Sequence, residues 1–334
     1  MTDRVNILVT GGAGFIGSHA CKALAAAGHH PVTLDDFSTG NRDAVKWGPC
    51  IEGDIRDTGL VSEILRSHSI TAVQHFAAKA YVGESVADPL SYYDTNVGGT
   101  ISILVACRKA NIRNFVFSSS CATYGSPETL PISETTPQSP ISPYGWTKLI
   151  GERMIRDHSA AYGMRYVILR YFNAAGADPD GELAERHDPE THLIPLVLMA
   201  AYGLRAELQV FGSDYPTPDG TCIRDYVHVA DLARAHTDAL SHLLRSGSDL
   251  AVNVGTGQGH SISEIVTEVQ RHVGRKVRLR FGPRRAGDPP VMIADPALAR
   301  HALGFVTKCS DISTIVADAA TRFRIGDVAH AIHP

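Results

Sequence analysis

Tyr144 and Lys148 stand one helical turn apart in the heptapeptide SPYGWTK, directly behind Pro143. Proline is at home in the first turn of a helix, where its missing N–H has no partner to lose, so the spacing predicts a helix starting at Pro143 with both side chains on one face. A phenol and an ammonium placed in this way form a proton-transfer pair, the positive charge favouring the phenolate. The same pattern also suits an aromatic ring covering a lysine stem. NFVFSSSCATYG tilts the reading, because its apolar run ends in Ser118, Ser119 and Ser120. Open α/β sheets bind ligands at the carboxyl ends of their strands, and a serine run there can also simply satisfy loop backbone. Taken together, serine, tyrosine and lysine can accept a proton from a substrate hydroxyl as hydride departs.

A hydride needs an acceptor, and the N-terminal stretch offers a place for one. TGGAGFIGSH follows the strand-like VNILVT and contains Gly11, Gly14 and Gly17, with Gly12 giving the G-x-G-x-x-G variant. Such glycines let the backbone turn tightly against a pyrophosphate, whose charge the following helix N-terminus stabilises. Asp35 closes the next strand-like run, PVTLDD, eighteen residues after Gly17. A carboxylate there accepts hydrogen bonds from both ribose hydroxyls and repels a 2′-phosphate, and no basic residue follows until Arg42. NAD is therefore expected rather than NADP. Asp54 and Ile55 in EGDIRD are expected to flank the adenine.

The elements that must hold these groups alternate: VNILVT, a helix over 18–27, PVTLDD, a helix over 57–67, TAVQHFA, a helix over 88–110, NFVFSSS, the helix behind Pro143, and RYVILRYF. Strand and helix patterns alternating in this way predict a doubly wound α/β fold with a parallel sheet covered on both faces. From about Gly176 the character changes to AGADPDGELAERHDPETH, a long polar loop. An apolar helix over 193–201, LQVFG, a helical YVHVADLARAHTDALSHLL, the strand VNVG and short C-terminal elements follow. They suggest a smaller mixed lobe, with 225–256 rejoining the first sheet.

Composition narrows the classes. The 334 residues are 44% hydrophobic and 20% charged, with a formal net charge of -4 and no long Lys/Arg run. Nothing points to nucleic acid or an anionic membrane. Neither a signal peptide nor an apolar run of membrane-crossing length is seen. Cys21, Cys50, Cys107, Cys121, Cys222 and Cys309 form no C-x-x-C pairs, which fits a cytoplasmic protein without zinc or disulfides. Sixteen histidines form no H-x-x-x-H or H-E-x-x-H pattern, so no metal site is expected.

TGGAGFIGSH, SSSCATYG, SPYGWTK and RYFNAAGADPDG together resemble the extended short-chain dehydrogenase/reductase superfamily, and most closely its UDP-glucose (UDP-galactose) 4-epimerases. HFAAKAYVGES, FGSDYPTPDGTCIRDYVHVADLA and GPRRAGDPP extend the likeness from Val5 to past Asp295. The resemblance implies an NAD-binding Rossmann domain over 1–175, rejoined by 225–256, and a UDP-sugar lobe over 176–224 and 257–334. It implies that Tyr144 is the acid/base, Lys148 its partner and ribose ligand, and Ser120 the hydroxyl on the reacting oxygen. Phe15, Ile16, Asp35, Asp54, Ile55, Phe76, Ala77, Asn96, Tyr171 and Phe172 match NAD contacts. Asn173, His192, Leu193, Phe211, Arg224, Arg285 and Asp288 match the nucleotide-sugar pocket, where two guanidiniums suit a diphosphate. The implied reaction oxidises C4 of the sugar, lets it turn about the diphosphate, and returns hydride to the other face. A homodimer through 88–110 and 143–163 is also implied.

Departures sharpen the expectation. Nucleotide-sugar 4,6-dehydratases and decarboxylases of the same fold use carboxylates just after the position of Ser120, where this chain has Cys121 and Ala122. Elimination is therefore disfavoured. Ala80 replaces a lysine of some epimerases, with Lys79 offset by one, and His192 replaces a common asparagine. Met292 occupies the position that sets room for a 2-acetamido group, so UDP-glucose is expected to react well and UDP-N-acetylglucosamine poorly. SSSCATYG and FAAKAYVGES also resemble UDP-xylose/UDP-arabinose 4-epimerases, and an NAD-binding regulator without catalysis is the alternative of another class.

Overall fold

The computed structural model describes residues 4–285 and 288–323. Alternation within the strands decides the layering. In Asn6–Thr10, Leu8 points to one face while Ile7 and Val9 point to the other, and all three are fully buried. Leu8, Leu34, Val73, Phe115 and Phe117 meet Val61, Ile64 and Ile103 of one helical layer. Ile7, Val9, Val116 and Val252 meet Leu24, Leu232 and Leu240 of the opposite layer.

The resulting sheet has seven parallel strands in the order Leu250–Val254, Arg165–Tyr171, Asn114–Ser118, Ala72–His75, Asn6–Thr10, His30–Asp35 and Cys50–Glu52. Strand order reverses between Asn6–Thr10 and Ala72–His75, which opens a crevice at their carboxyl ends. Register aligns those ends: Thr10 pairs with Leu34 and His75, His75 with Phe117, and Ser118 with Leu169. The three segments that carry the expected chemistry thus leave the sheet along one edge.

Several elements differ from the sequence reading. The first helix runs Phe15–Ala26, starting earlier than expected because Gly14 already serves as its N-cap. Cys50–Glu52 adds a short edge strand too polar to stand out by pattern. Tyr226–His228 is a strand, and the helix after it is Val229–Leu244. The helix expected over 88–110 begins as Pro89–Tyr92, opens into a π-helical Tyr93–Gly98 and continues as Gly99–Lys109. The smaller lobe packs helices Leu193–Ala201, Ile262–Val273 and Ile312–Ala320 around Val197, Ile265, Val269 and Ile315. Its strands are short: Leu208–Phe211 pairs with Leu279–Gly282, and Ile223–Arg224 lies between His260–Ser261 and Val291–Met292.

Helix Pro143–Tyr162 starts where the sequence reading puts it. The Ser142 hydroxyl accepts the Gly145 N–H at 3.2 Å, Pro143 occupies the first turn, and Gly163 at φ +71° ends the helix. Its buried face carries Tyr144, Lys148, Glu152 and Ile155. Glu152 meets Arg170 of the strand Arg165–Tyr171 at 2.6 Å, with side chains only 1% and 4% exposed. Ser119 Oγ donates to Glu152 at 2.6 Å, and Arg170 donates to Tyr124 Oη at 2.9 Å and Gln138 Oε1 at 3.0 Å. A buried pair with every lone pair answered holds the helix over the strand ends. Removing one partner leaves a buried charge alone, so Glu152→Gln is expected to cost about 3–5 kcal/mol of stability. Denaturant unfolding monitored by circular dichroism measures it, and a loss under about 1 kcal/mol would contradict this role.

Candidate functional site

The cofactor end is built from backbone. Gly11, at φ +71°, packs so closely on the next strand's exit that a Cβ would come within 2.6 Å of Ala77 N. A Cβ on Gly17 would lie 2.1 Å from Gly11 O, so the turn and the helix start can touch only as glycines. Gly14 offers no capping side chain, and the first turn has no acidic residue, which leaves the N–H groups at Phe15, Ile16 and Gly17 facing outward for an anion. Asp35 lies beside this turn, one oxygen accepting Ala13 N–H and the other Phe37 N–H, both at 2.9 Å. Burial pushes its carboxyl up and the two backbone donors oppose that push. Each oxygen keeps a free lone pair for a ribose hydroxyl. Arg42, the first basic residue after it, is bound to Glu52 at 2.7 Å and stacked on Phe37, not aimed at Asp35. A glycine cradle, an open helix N-terminus and a carboxylate with spare lone pairs fit NAD.

The remaining cofactor expectations fall into two groups. Phe76 and Ala77 donate their N–H groups to Thr10 O at 3.0 Å and so border the crevice, with Phe76 against the His236 ring. Asp54, in contrast, is turned onto Arg56, which donates to it from the backbone at 2.8 Å and from Nε at 3.0 Å. Ile55 is buried in the core below Gly99. Asn96, inside the π-helical turn, accepts Lys79 N–H at 2.8 Å and donates to Lys79 O and Thr147 Oγ1 at 3.0 Å. Its side chain positions the crevice wall. Phe172 joins Tyr124, Ile132, Met292 and Ala294 in a small apolar cluster.

The catalytic end gathers the three expected groups. Ser120 caps the turn Cys121–Tyr124, accepting Ala122 N–H at 3.1 Å. Gly145 lets the tyrosine helix approach that turn, since a Cβ would meet Ala122 O at 2.6 Å. Tyr144 is buried beside Ser120. Burial pushes its phenol well above the ordinary value, Tyr171 adds to the push, and the Ser120 hydroxyl opposes it. Lys148, 4% exposed, donates to Ser118 O at 2.8 Å, with Nζ 5.9 Å from the Tyr144 ring centroid. Burial lowers the Lys148 ammonium to about 8, and the Glu152 carboxylate opposes that fall. In the chain by itself burial dominates Tyr144, and the ammonium is directed at a carbonyl.

Around this centre, Tyr171 Oη accepts from Ser118 at 3.1 Å, and Asn173 N–H donates to Asp225 O at 2.9 Å. Burial pushes the Cys121 thiol up to about 12, against a nearby Arg224, so it stays protonated at neutral pH. Arg224 donates to Asp288 at 2.8 Å, and Arg285 stacks on Phe211 at 4.0 Å. The strand pairing sets Arg224 opposite Met292, which places this arginine and aspartate beside the apolar cluster next to Cys121. Leu193 packs on the core of the smaller lobe. His192, its side chain 47% exposed, is bonded through Nδ1 to Glu185; desolvation lowers the imidazole, and the Glu185 carboxylate outweighs this and raises it.

Two groups escaped the sequence reading. Glu152 continues the Tyr144–Lys148 spacing by one more turn, and Arg170 is a charge in a buried strand that had to have a partner; both signals were present. The Glu185, His187, Glu190 and His192 side chains bring one ligand atom each within 4.8 Å of the others. Their loop spacing, E-x-H-x-x-E-x-H, lies outside the helical histidine patterns on which the expectation of no metal site rested.

Residues 7–255 match the NAD dependent epimerase/dehydratase family. The UDP-glucose 4-epimerase of Rhizobium leguminosarum bv. trifolii is 49% identical over 313 residues, 94% of this chain and 95% of that protein. The crystal structure of UDP-glucose 4-epimerase from Brucella ovis in complex with NAD is 59% identical, covers 96% of this chain and 98% of its own, and superposes with a TM-score of 0.93. UDP-glucose-4-epimerase from Stenotrophomonas maltophila, with bound NAD and formylated UDP-arabinopyranose, is 39% identical with a TM-score of 0.94, covering 98% of this chain and 100% of its own.

Asp35→Ala removes a charged acceptor from the ribose end of the crevice. Its NAD affinity is expected to fall about 10- to 100-fold, the worth of one or two charge-assisted hydrogen bonds. Isothermal titration of NAD-stripped protein measures it, and unchanged affinity would contradict the assignment.

Proposed function

We infer the chemistry from one premise: the chain belongs to the NAD dependent epimerase/dehydratase family. It is an isomerase that interconverts UDP-glucose and UDP-galactose by reversible oxidation and reduction at C4, with NAD as cofactor. The observation that carries this reading is the convergence of Ser120, Tyr144 and Lys148 at the sheet edge that also holds the glycine turn and Asp35, with no second acid or base after Ser120. NAD, when bound, supplies a hydride acceptor and donor whose oxidised ring carries a positive charge, which favours the phenolate of a nearby tyrosine.

The protein's own groups then have separate tasks. Tyr144 Oη accepts the proton of the C4 hydroxyl as the C4–H bonding pair leaves, and returns it to the same oxygen when the pair comes back to the opposite face of the sugar. Ser120 Oγ holds that oxygen within reach. Lys148, anchored on Ser118 O, brings a positive charge and spare N–H donors to the ribose side. Arg224 and Arg285 are the diphosphate ligands of this reading; Asp288 orients the first and Phe211 carries the second. Turning of the sugar requires firm contacts to UDP and few to the hexose. Cys121 and Ala122 add neither acid nor base, so water and carbon dioxide are retained.

The working division is a cofactor domain of 1–175 with 225–256 and a substrate lobe of 176–224 with 257–334, whose end beyond 323 lies outside the described residues. Support comes from Leu250–Val254, which extends the parallel sheet, and from Val229–Leu244, which packs on Phe15–Ala26. Met292, buried next to Tyr124, leaves less room than a serine or cysteine for a 2-acetamido group. The pentose reading has its own support in the Stenotrophomonas neighbour, whose bound sugar nucleotide is a formylated UDP-arabinopyranose. Among the described residues no helix is long and apolar enough to cross a membrane. The six unpaired cysteines support a cytoplasmic place, and the reaction a role in galactose metabolism.

Proton NMR of UDP-glucose, UDP-xylose and UDP-N-acetylglucosamine, each incubated with the holoprotein, reads products directly. Inversion of UDP-glucose at C4 without loss of mass is expected, with the acetamido sugar at least about tenfold slower; release of water or carbon dioxide, or fast turnover of the acetamido sugar, would contradict the reading. Tyr144→Phe is expected to lose about 100-fold or more of kcat while still binding UDP.

We also assign a homodimer to the paired surfaces of 88–110 and 143–163, which carry the exposed apolar side chains Leu90, Ile101, Val105, Trp146 and Tyr162. Light scattering is expected to give twice the 35.8 kDa chain mass, and a monomer at micromolar concentration would sink the assignment.

A further inference from the structure

We propose that Glu185, His187, Glu190 and His192 form a closed four-ligand site for a structural divalent transition metal, with zinc the best match to two imidazole nitrogens and two carboxylate oxygens. The four ligands lie on one loop between Gly176 and the helix Leu193–Ala201. Zinc takes nitrogen at about 2.0–2.1 Å and carboxylate oxygen at about 2.0–2.2 Å in a tetrahedron, which sets ligand atoms about 3.4 Å apart. His187 Nδ1 already lies 3.3 Å from Glu185 Oε1 and 3.7 Å from Glu190 Oε1, and His192 Nδ1 is in direct contact with Glu185 Oε1. All four ligand atoms lie within 4.8 Å of one another, so closing them to zinc spacing takes no more than about 1.4 Å at any pair.

Ion pairing among these four groups balances charge but leaves polar atoms without partners. Glu185 and Glu190 are 5% and 7% exposed, a burial that carboxylates reach only when paired or ligating. Glu190 Oε2 is sealed from solvent and makes no hydrogen bond, and His187 Nδ1, equally sealed, has only its 3.3 and 3.7 Å ionic contacts, neither of which has hydrogen-bond geometry. Glu190 Oε1 is meanwhile held in place by the N–H groups of Thr191 and His192 at 2.9 and 3.0 Å, as expected of a supported ligand. The neighbouring cation, Arg322, is engaged with Glu185 O and not with either carboxylate. Charge counting agrees: two carboxylates and two neutral imidazoles neutralise a dication.

With all four positions filled by protein the site has no open coordination for chemistry. Its work is to tie down the loop beside the cofactor turn, where the His187 ring meets Phe15 at 6.2 Å and Tyr81 at 5.9 Å, and Asn41 donates to Arg186 O at 3.4 Å. Sequence distance hides this link, because Phe15 begins the phosphate-binding helix and His187 follows it by more than half the chain.

The test uses tag-free holoprotein dialysed against EDTA and then titrated with zinc chloride in competition with a chromophoric chelator. One zinc per chain is expected, accompanied by a rise in thermal midpoint, and cobalt chloride in its place is expected to give the intense visible bands of a tetrahedral centre. His187→Ala and Glu190→Gln are each expected to weaken zinc binding about 100-fold or more. Circular dichroism of the metal-free variants, matching that of the metal-free parent, ties the loss to ligation. Fewer than one equivalent bound, an octahedral cobalt spectrum, or undiminished affinity in both variants would overturn the proposal and leave the four residues as an ion-pair cluster.

Discussion

The structure turns on one buried electrostatic stack along a helix face. Tyr144, Lys148 and Glu152 follow each other at single-turn intervals and enter the space above the strand ends of Asn114–Ser118 and Arg165–Tyr171. Glu152 is locked to Arg170, Lys148 to the Ser118 carbonyl, and Tyr144 reaches Ser120 last. An ammonium buried to this extent loses hydration that only a nearby carboxylate and a carbonyl acceptor can offset. Helix height and rotation are therefore set by ionic contacts that tolerate little displacement. Hydride transfer needs such tolerance, since an error of about an ångström in a reacting group can cost about 100-fold in rate.

The rest of the fold serves that edge. The strand order leaves a crevice beside Thr10 and His75, and the glycine turn fills one side of it with backbone and not with side chains. The opposite wall comes from the smaller lobe, joined through Asp225, which accepts N–H groups from Thr256 at 2.9 Å, Gly257 at 3.0 Å and Ala294 at 3.2 Å. Buried β-structure thus floors the crevice, and one carboxylate ties the short strands beside it into place.

Much of this was legible in the chain because it is local. Pro143, Ser142 and Gly163 announce a helix with their own backbone chemistry, and the glycine turn with Asp35 sits in the strand-to-helix context that gives it meaning. What escaped depends on distant partners or on weak local signals. Cys50–Glu52 is a strand only because His30–Asp35 offers it an edge. The π-helical turn at Tyr93–Gly98 answers to Asn96, whose amide must meet Lys79 and Thr147. Asp54 is expected beside the adenine from its local pattern, which does not reveal that Arg56 also holds it. The Glu185–His192 cluster lies on an irregular loop, where no periodicity tells which side chains converge.

The central claim is that one hydride leaves C4 and returns to it without exchange with solvent, in a site closed by Tyr144, Lys148 and Ser120. UDP-glucose carrying deuterium at C4, incubated with the holoprotein in ordinary water and analysed by mass spectrometry and proton NMR, tests this most directly. Full retention of deuterium at C4 of the UDP-galactose formed is the expected result. Washout of the label into solvent would mean that the inversion proceeds through proton abstraction at carbon, and would contradict the account.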